Sequence, residues 1–197
     1  PLPADKEAAR NRVVGKFIDH YEHHRGEVAS EALQPGYRQT MKASYPIHPE
    51  LFDRLYQDWS TLERFQRTRG VLRLMATVVH ALWVKGDASP LILPASIPLD
   101  DTKVFEEITS HLDDPWKPVV DTDIAGPTST AATIDREIPI LGRTTATQRA
   151  ARCVFLGTAP AVNRNARQGD TGPVRGTAQK RVVLGSTYPG DNPAHIG

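Results

Sequence analysis

Apolar positions recur at helical spacing along most of the chain. Between residues 4 and 25, Ala9, Val13, Phe17 and Tyr21 step by four, with Val14 and Ile18 beside them. That spacing predicts an amphipathic helix. Residues 26–44 predict a shorter one, with Pro35 near its start and Tyr37 and Met41 facing inward. In YPIHPELFDRLYQDW, Pro46 and Pro49 stop one helix and start the next, whose buried stripe is Leu51, Leu55 and Trp59. Ser60 and Glu63 have the spacing of a capping box, so a break and restart is expected there. Thr68 is then placed to cap a helix over about residues 70–85. Val71, Leu74, Met75, Val78 and Leu82 share one arc of it, Arg69 and Arg73 lie opposite, and Gly86 ends it.

Prolines 90, 94 and 98 around Leu91 and Leu93 predict an extended connector or edge strand. Asp100 or Asp101 then caps a helix with Val104, Phe105, Ile108 and Leu112 inside, closed by Asp113, Asp114, Pro115 and Trp116. A modest helix follows over 128–136. After Gly142, Thr144 or Thr145 caps a helix through Leu156 with Ala150, Cys153 and Val154 inward. Residues 157–176, rich in Gly, Pro, Asn and Arg, predict a long loop. Residues 182–184 predict a short strand-like piece, and Asp191-Asn192-Pro193 a cap and a new helix start. The fold class is therefore mainly α.

Charge divides this pattern into three segments. Residues 1–86 are the helical first part. Residues 87–141 form an acidic, α-rich connector, with nine acids against two bases between 87 and 123. Residues 142–197 form a basic end, with eight bases against Asp170 and Asp191. Acidic middle and basic end can attract each other, or the basic end can contact phosphates. The whole chain of 197 residues has a net charge of only +1, so no global field points to nucleic acid or membrane. There is no apolar run of about 18 residues and no signal-peptide layout, and the single Cys153 fits a reducing, cytoplasmic setting. With no initiator Met and an end at a helix start, the chain is expected to be part of a longer protein.

The stretch 65–76, FQRTRGVLRLMA, places Arg69 and Arg73 on one side of a helix start, with a glycine at the turn. Gly70 followed three residues on by Arg73, at a helix start, resembles the short sensor-2 pattern of AAA-type ATPase lids. A guanidinium is always charged and forks onto phosphate oxygens. It can stabilise charge on a γ-phosphate and couple lid closure to nucleotide state. The plain alternative is a solvated face whose Arg69 and Arg73 pair with nearby acids. Elsewhere, Arg149 and Arg152 share a helix face, with Arg164, Arg167 and Arg175 following as candidate nucleic-acid contacts. No aromatic alternates with them, which weakens a base-stacking reading. His20 and His24 lie one turn apart, but no acid or cysteine completes a ligand set, so no metal is expected. His48, between prolines, reads as a capping residue rather than a base. Cys153 reads as core, and no GxSxG motif occurs.

Three blocks carry a resemblance: YPIHPELFDRLYQDWSTLERFQRTRGVLRLMATVVHALW, DASPLILPASIPLDD and LDDPWKPVVDTDIAGPTSTAATIDRE. They are similar to the large prokaryotic AAA-type ATPases of domain-of-unknown-function family four-nine-nine. Such proteins are often encoded beside DNA methyltransferases and helicases in anti-phage defence islands. The resemblance is strongest from Tyr45 to Glu137 and weaker after Gly157. It implies a helical AAA-type lid bundle over 1–86, an α-rich segment, and a winged-helix-like basic end. It also implies that Arg73 touches the outer phosphates of ATP–magnesium in the complete protein, with Arg69, Arg67 and Gly70 beside it. Arg67 or Arg69 could instead face a neighbouring subunit of a homo-oligomer.

No Walker A loop and no Walker B strand occur here, so this segment alone is expected to hold no nucleotide and to have no ATPase activity. Its expected partners are an upstream ATPase core, DNA, and a methyltransferase or helicase. The rival reading is a helical module that binds DNA or protein independently of nucleotide.

Overall fold

The computed structural model describes residues 3–168 and 178–195. The fold is mainly helical, and no strand occurs among the described residues. An isolated parallel bridge joins Ile47 to Ile92. Helix α1 spans Ala4–His23 and buries Val14, Phe17, Ile18 and Tyr21, while Ala9 and Val13 of the expected stripe are only partly buried. Helix α2 covers only Tyr37–Ser44; ahead of it, Ser30–Leu33 forms a single 3₁₀ turn. Helix α3, Pro49–Asp53, runs into a π turn and then a 3₁₀ turn ending at Thr61. Across this irregular path Leu51, Leu55 and Trp59 are all fully buried.

The expected capping box at Ser60 does not form, because the Ser60 hydroxyl donates back to the Tyr56 carbonyl instead. Helix α4, Thr68–Val84, starts two residues earlier than the pattern suggests, and Thr68 lies inside it rather than capping it. Its buried residues include Val71, Leu74, Met75, Val78 and Leu82. Gly86, at φ +66°, ends it, and the Asp87 N–H returns to the Leu82 carbonyl at 3.0 Å. That is the left-handed C′ closure for which glycine is suited.

The connector after α4 is extended apart from a 3₁₀ turn at Pro94–Ser96, and Leu91, Leu93, Ile97 and Leu99 are buried. Asp101, not Asp100, caps helix α5 (Thr102–Thr109), accepting from the Lys103 and Val104 N–H groups. Helix α6 (Trp116–Val119) continues as a π turn through Ala125. Helices α7 (Thr130–Glu137) and α8 (Pro139–Gly142) follow. Helix α9, Ala146–Gln168, is longer than its composition suggests and occupies residues 157–168, where a loop is expected. Neither Thr144 nor Thr145 caps it. Buried Asp135 of α7 does so, taking the Thr147 and Gln148 N–H groups at 2.9 and 3.1 Å. Val154 is exposed rather than inward.

Pro160 lies inside α9, so the Leu156 carbonyl has no helical N–H to accept. The Trp59 indole N–H supplies the missing donor at 2.9 Å. A buried carbonyl left bare would be costly, and this one bond lets the helix continue. Residues 182–184, expected as strand-like, belong to helix α10 (Gln179–Ser186).

Among the described residues, two apolar clusters form the interior. One gathers residues of α3, α4, α5, the turn 120–125 and Phe155, Leu156 and Ala159 of α9. The other gathers α1, Met41, Leu91, Leu93, Cys153 and the buried face of α10. All three sequence segments contribute to both clusters, and α9 and the connector run between them. No described helix is long and apolar enough to cross a membrane.

Candidate functional site

The arginine-bearing start of α4 is built on an unusual turn. A short 3₁₀ turn, Glu63–Phe65, is followed by Gln66 at φ 57°, ψ 34° and Arg67 at φ 50°, ψ −125°. Two consecutive non-glycine residues with positive φ are sterically costly, and such strain persists only where the surroundings enforce it. The enforcing contact is visible. Phe65 is fully buried, and its carbonyl lies so close to Gly70 that a Cβ there would overlap it. Gly70 is thus needed for close approach rather than for flexibility. Gly70→Ala is expected to cost about 2–3 kcal/mol of stability by forcing the turn off the helix. Urea unfolding checks this; an unchanged midpoint would mean the turn readily moves.

Arg64, Arg67, Arg69 and Arg73 are all exposed around this helix start. Arg73 is held from below: its Nε donates to Glu107 Oε1 at 2.7 Å, and its Nη2 lies 3.3 Å from His111 Nε2. His111 Nε2 is also 3.2 Å from the same Glu107 oxygen. An arginine only donates, so a bond from Arg73 requires a bare Nε2, whereas a bond to Glu107 requires a protonated one. Nε2 therefore serves one of these two neighbours at a time, Arg73 when bare and Glu107 when protonated. Phe65 meets the His111 ring edge-on at 4.9 Å, tying the turn to the same cluster. The Arg73 side chain nonetheless remains half exposed, so one edge of its guanidinium is oriented and free to donate outward. Arg64, Arg67 and Arg69 have no ion pair among the described residues. A depression of about 440 Å³ beside them is lined by Ser60, Thr61, Leu62, Glu63, Gln66 and Arg67.

The basic end is arranged differently. Arg149 is buried, with Nη2 on Asp191 at 2.7 Å and its guanidinium over the Tyr188 ring. Arg152 donates to the Ala95 carbonyl at 3.2 Å and lies 4.0 Å from Asp100 of the acidic segment. Both turn inward rather than presenting a shared polar face, and Arg152 takes the internal acid-meets-base option. The side chains of Arg164 and Arg167, and the whole of Arg175, lie outside the described residues.

A second polar cluster joins α1, α3 and α10, and of its members the sequence points to His48 alone, as a cap. His48 caps α3: its Nδ1 accepts from the Glu50 N–H at 3.1 Å. A bare Nδ1 puts the proton on Nε2, which then donates to the Tyr21 hydroxyl at 2.8 Å. Buried Glu50 pairs with Arg54 at 3.1 Å and with Arg181 of α10 at 2.7 Å. Arg181 also reaches Glu31 at 2.5 Å. Burial pushes the Glu50 carboxyl up to about 7, against the pull of its two arginines.

Burial alone pulls His48 down to about 3, and burial next to His24 pulls His20 down to about 4. Both histidines stay neutral in the fold at pH values where the unfolded chain protonates them. Their contribution is complete above pH 6.5 and is lost as pH falls toward 4 and then 3. Glu50 acts oppositely between its ordinary 4.5 and about 7, so the loss is steepest below pH 4.5. Urea unfolding is expected to show stability falling there by about 1.4 kcal/mol per pH unit from His48 alone. His48→Gln should flatten that slope.

A family model described as DUF499 second domain matches residues 5–171. The chain belongs to the DUF499 family. No curated protein and no solved structure matches it. The matched stretch of the DUF499 domain includes the Arg73–Glu107–His111 cluster and the strained turn before it. It stops short of α10, although Arg181 and residues 182–184 complete the core around Glu50 and α1. The sequence pattern identifies Arg73 and Gly70 but not Glu107 and His111, 34 and 38 residues further on. Their four-residue spacing on one side of the α5 region is the sole local signal, and it is common to many helices.

Proposed function

We propose that this DUF499 domain is the nucleotide-sensing lid and coupling region of an AAA-type ATPase, with Arg73 as the residue that contacts the outer phosphates. The observation that carries the reading is the state of Arg73. Its Nε is anchored on Glu107 while half of the side chain stays open to solvent at the start of a rigid helix. A cation pre-oriented in this way donates to a phosphate oxygen with little ordering cost. Three further exposed arginines add positive potential at the same helix end. Catalytic work would be done only in the complete protein, where ATP and magnesium are held by an ATPase core carrying the Walker motifs. Anti-phage defence, with a DNA methyltransferase or helicase as partner, is the setting this reading places it in.

The alternative, a DNA- or protein-binding module independent of nucleotide and ending in a winged-helix-like unit, draws less support. Arg149 and Arg152 are occupied internally, and α10 stands where a wing strand would be needed.

The test is ATP turnover by the complete protein. Arg73→Ala is expected to lower it about 100-fold, in line with loss of a transition-state charge contact, without a change in melting temperature. Turnover equal to that of the parent would remove Arg73 from the mechanism.

A further inference from the structure

The C-terminal end of α4, the end remote from Arg73, borders a polar depression of about 390 Å³. Its walls come from three places: Lys85 after α4, Asp100 of the connector, and Thr145, Arg149 and Arg152 at the start of α9. A neighbouring depression of about 420 Å³ shares Asp100, Thr145 and Arg152 with it. Three cations face this space, and the acids beside them do not match them one for one. Asp191 takes Arg149 at 2.7 Å, and Asp100 takes Lys85 at 2.6 Å. Asp87, at the rim, is exposed and accepts the Ser89 N–H.

Arg152 is left over. Its Nη1 donates to the Ala95 carbonyl, but its Nη2 stops 4.0 Å from Asp100 Oδ1, beyond hydrogen-bond reach. Its Nε is buried without an acceptor among the described residues, as is that of Arg149, which is only 8% exposed. Burial pulls the Arg152 guanidinium below its ordinary pKa, as expected of a cation without a full counter-charge. Buried guanidinium donors are ordinarily satisfied, so an unsatisfied set beside a cavity points to an acceptor that the chain does not supply. We propose that this depression binds a phosphate group that retains a proton, with Arg152 and Lys85 as donors and Asp100 as the acceptor of its P–OH.

The acid is what selects. A site built of cations alone would take any oxyanion. A carboxylate beside them repels an anion that has no proton to give and accepts a hydrogen bond from one that has. Inorganic phosphate keeps a P–OH near neutral pH, whereas sulfate keeps none. The 4.0 Å between Arg152 Nη2 and Asp100 Oδ1 lets one phosphate oxygen accept from Arg152 while the neighbouring P–OH donates to Asp100. Lys85 has further N–H donors beyond the one it gives Asp100. Thr145, a β-branched residue at φ 50°, holds a costly left-handed conformation at the wall of the same depression. The Arg152 side chain is only 17% exposed, so the recess suits a single phosphate group rather than a nucleic-acid backbone. The site stands apart from the Arg73 reading and does not depend on it.

Nuclear magnetic resonance titration of the isotope-labelled 197-residue chain with inorganic phosphate, glycerol 3-phosphate and sulfate, at constant ionic strength, tests this. At a pH of about 6, roughly half of a phosphate monoester still carries its proton. The expected result is a saturable shift of the signals of residues 145–152, with a phosphate dissociation constant on the order of 1 mM and sulfate at least about tenfold weaker. The tighter of the two phosphates gives the source of the group, free or esterified. Arg152→Gln should abolish the shift. Asp100→Asn leaves the fold intact, because Asp100 is half exposed and its pair with Lys85 contributes little. It should admit sulfate, since an amide can donate, and bring the two anions to within about twofold of each other. Sulfate binding as tightly as phosphate in the parent would show an adventitious ion only, and no saturable shift would show a gap filled by water; either overturns the proposal. So would a phosphate preference that Asp100→Asn leaves unchanged.

Discussion

Replacing Trp59 with alanine is expected to cost about 4–5 kcal/mol, the largest single loss in the domain. The side chain is fully buried between Phe65, Phe155 and the α3–α4 core, so its removal opens a cavity that the surroundings cannot close. A second term is specific to this site. Pro160 gives the Leu156 carbonyl no N–H, and the Trp59 indole is its donor. Trp59→Phe narrows the comparison, because it keeps most of the packing while deleting the donor. It should cost about 2 kcal/mol, the range for leaving a buried acceptor unsatisfied. Pro160→Ala in the Trp59→Phe background should recover part of this by restoring the helical bond. Chemical denaturation of the parent, Trp59→Phe, Pro160→Ala and the double variant checks it, and an equal cost for Trp59→Phe with and without Pro160 would refute the donor role.

Arg181→Met is expected to destabilise by about 3 kcal/mol at pH 8 and by much less at pH 5. Glu50 is buried and shares its charge between Arg54 and Arg181, and removing one partner from a buried pair leaves an under-compensated carboxylate. With its pKa already near 7, Glu50 is protonated at pH 5 and has little need of Arg181 there. The direction follows from linkage: losing Arg181 raises the folded-state pKa further, so the penalty grows as pH rises above it. Urea unfolding of parent and variant at the two pH values gives the difference directly. A penalty independent of pH would show that Arg181 acts through packing of its stem and its bond to Glu31 rather than through the Glu50 charge.

Where one face of a helix is buried and the other wet, the sequence predicts the structure well. The stripes Leu51–Leu55–Trp59, Val71–Leu74–Met75–Val78–Leu82 and Val104–Ile108–Leu112 are buried as their spacing implies. The misreadings share a physical cause, which is that a distant residue supplied what the local sequence lacks. Beyond Gly157 the composition argues for a loop, but Ala159 packs into the core and Trp59 satisfies the carbonyl that Pro160 strands. The start of α9 is capped by Asp135, twelve residues from Thr147, rather than by the adjacent threonines. In α10, Val182, Val183, Leu184 and Ser186 are all buried, so no polar side remains to reveal a helical period. At the candidate site, the Gly70–Arg73 spacing is visible in the sequence because it is local. The link to Glu107 and His111 is not, since only the packing of α5 on α4 brings them to Arg73. The inward turn of Arg149 was equally hidden, because Asp191 lies 42 residues away.

The central claim is that Arg73 reads the outer phosphates of a nucleotide, and the ratio of ADP to ATP dissociation constants of the complete DUF499 protein tests it most directly. The account predicts that the parent binds magnesium-ATP at least about tenfold more tightly than magnesium-ADP, a difference near 1.4 kcal/mol. It predicts further that Arg73→Ala brings the ratio close to one while ADP affinity and thermal stability stay as they were. A ratio that Arg73→Ala leaves unchanged would contradict the account.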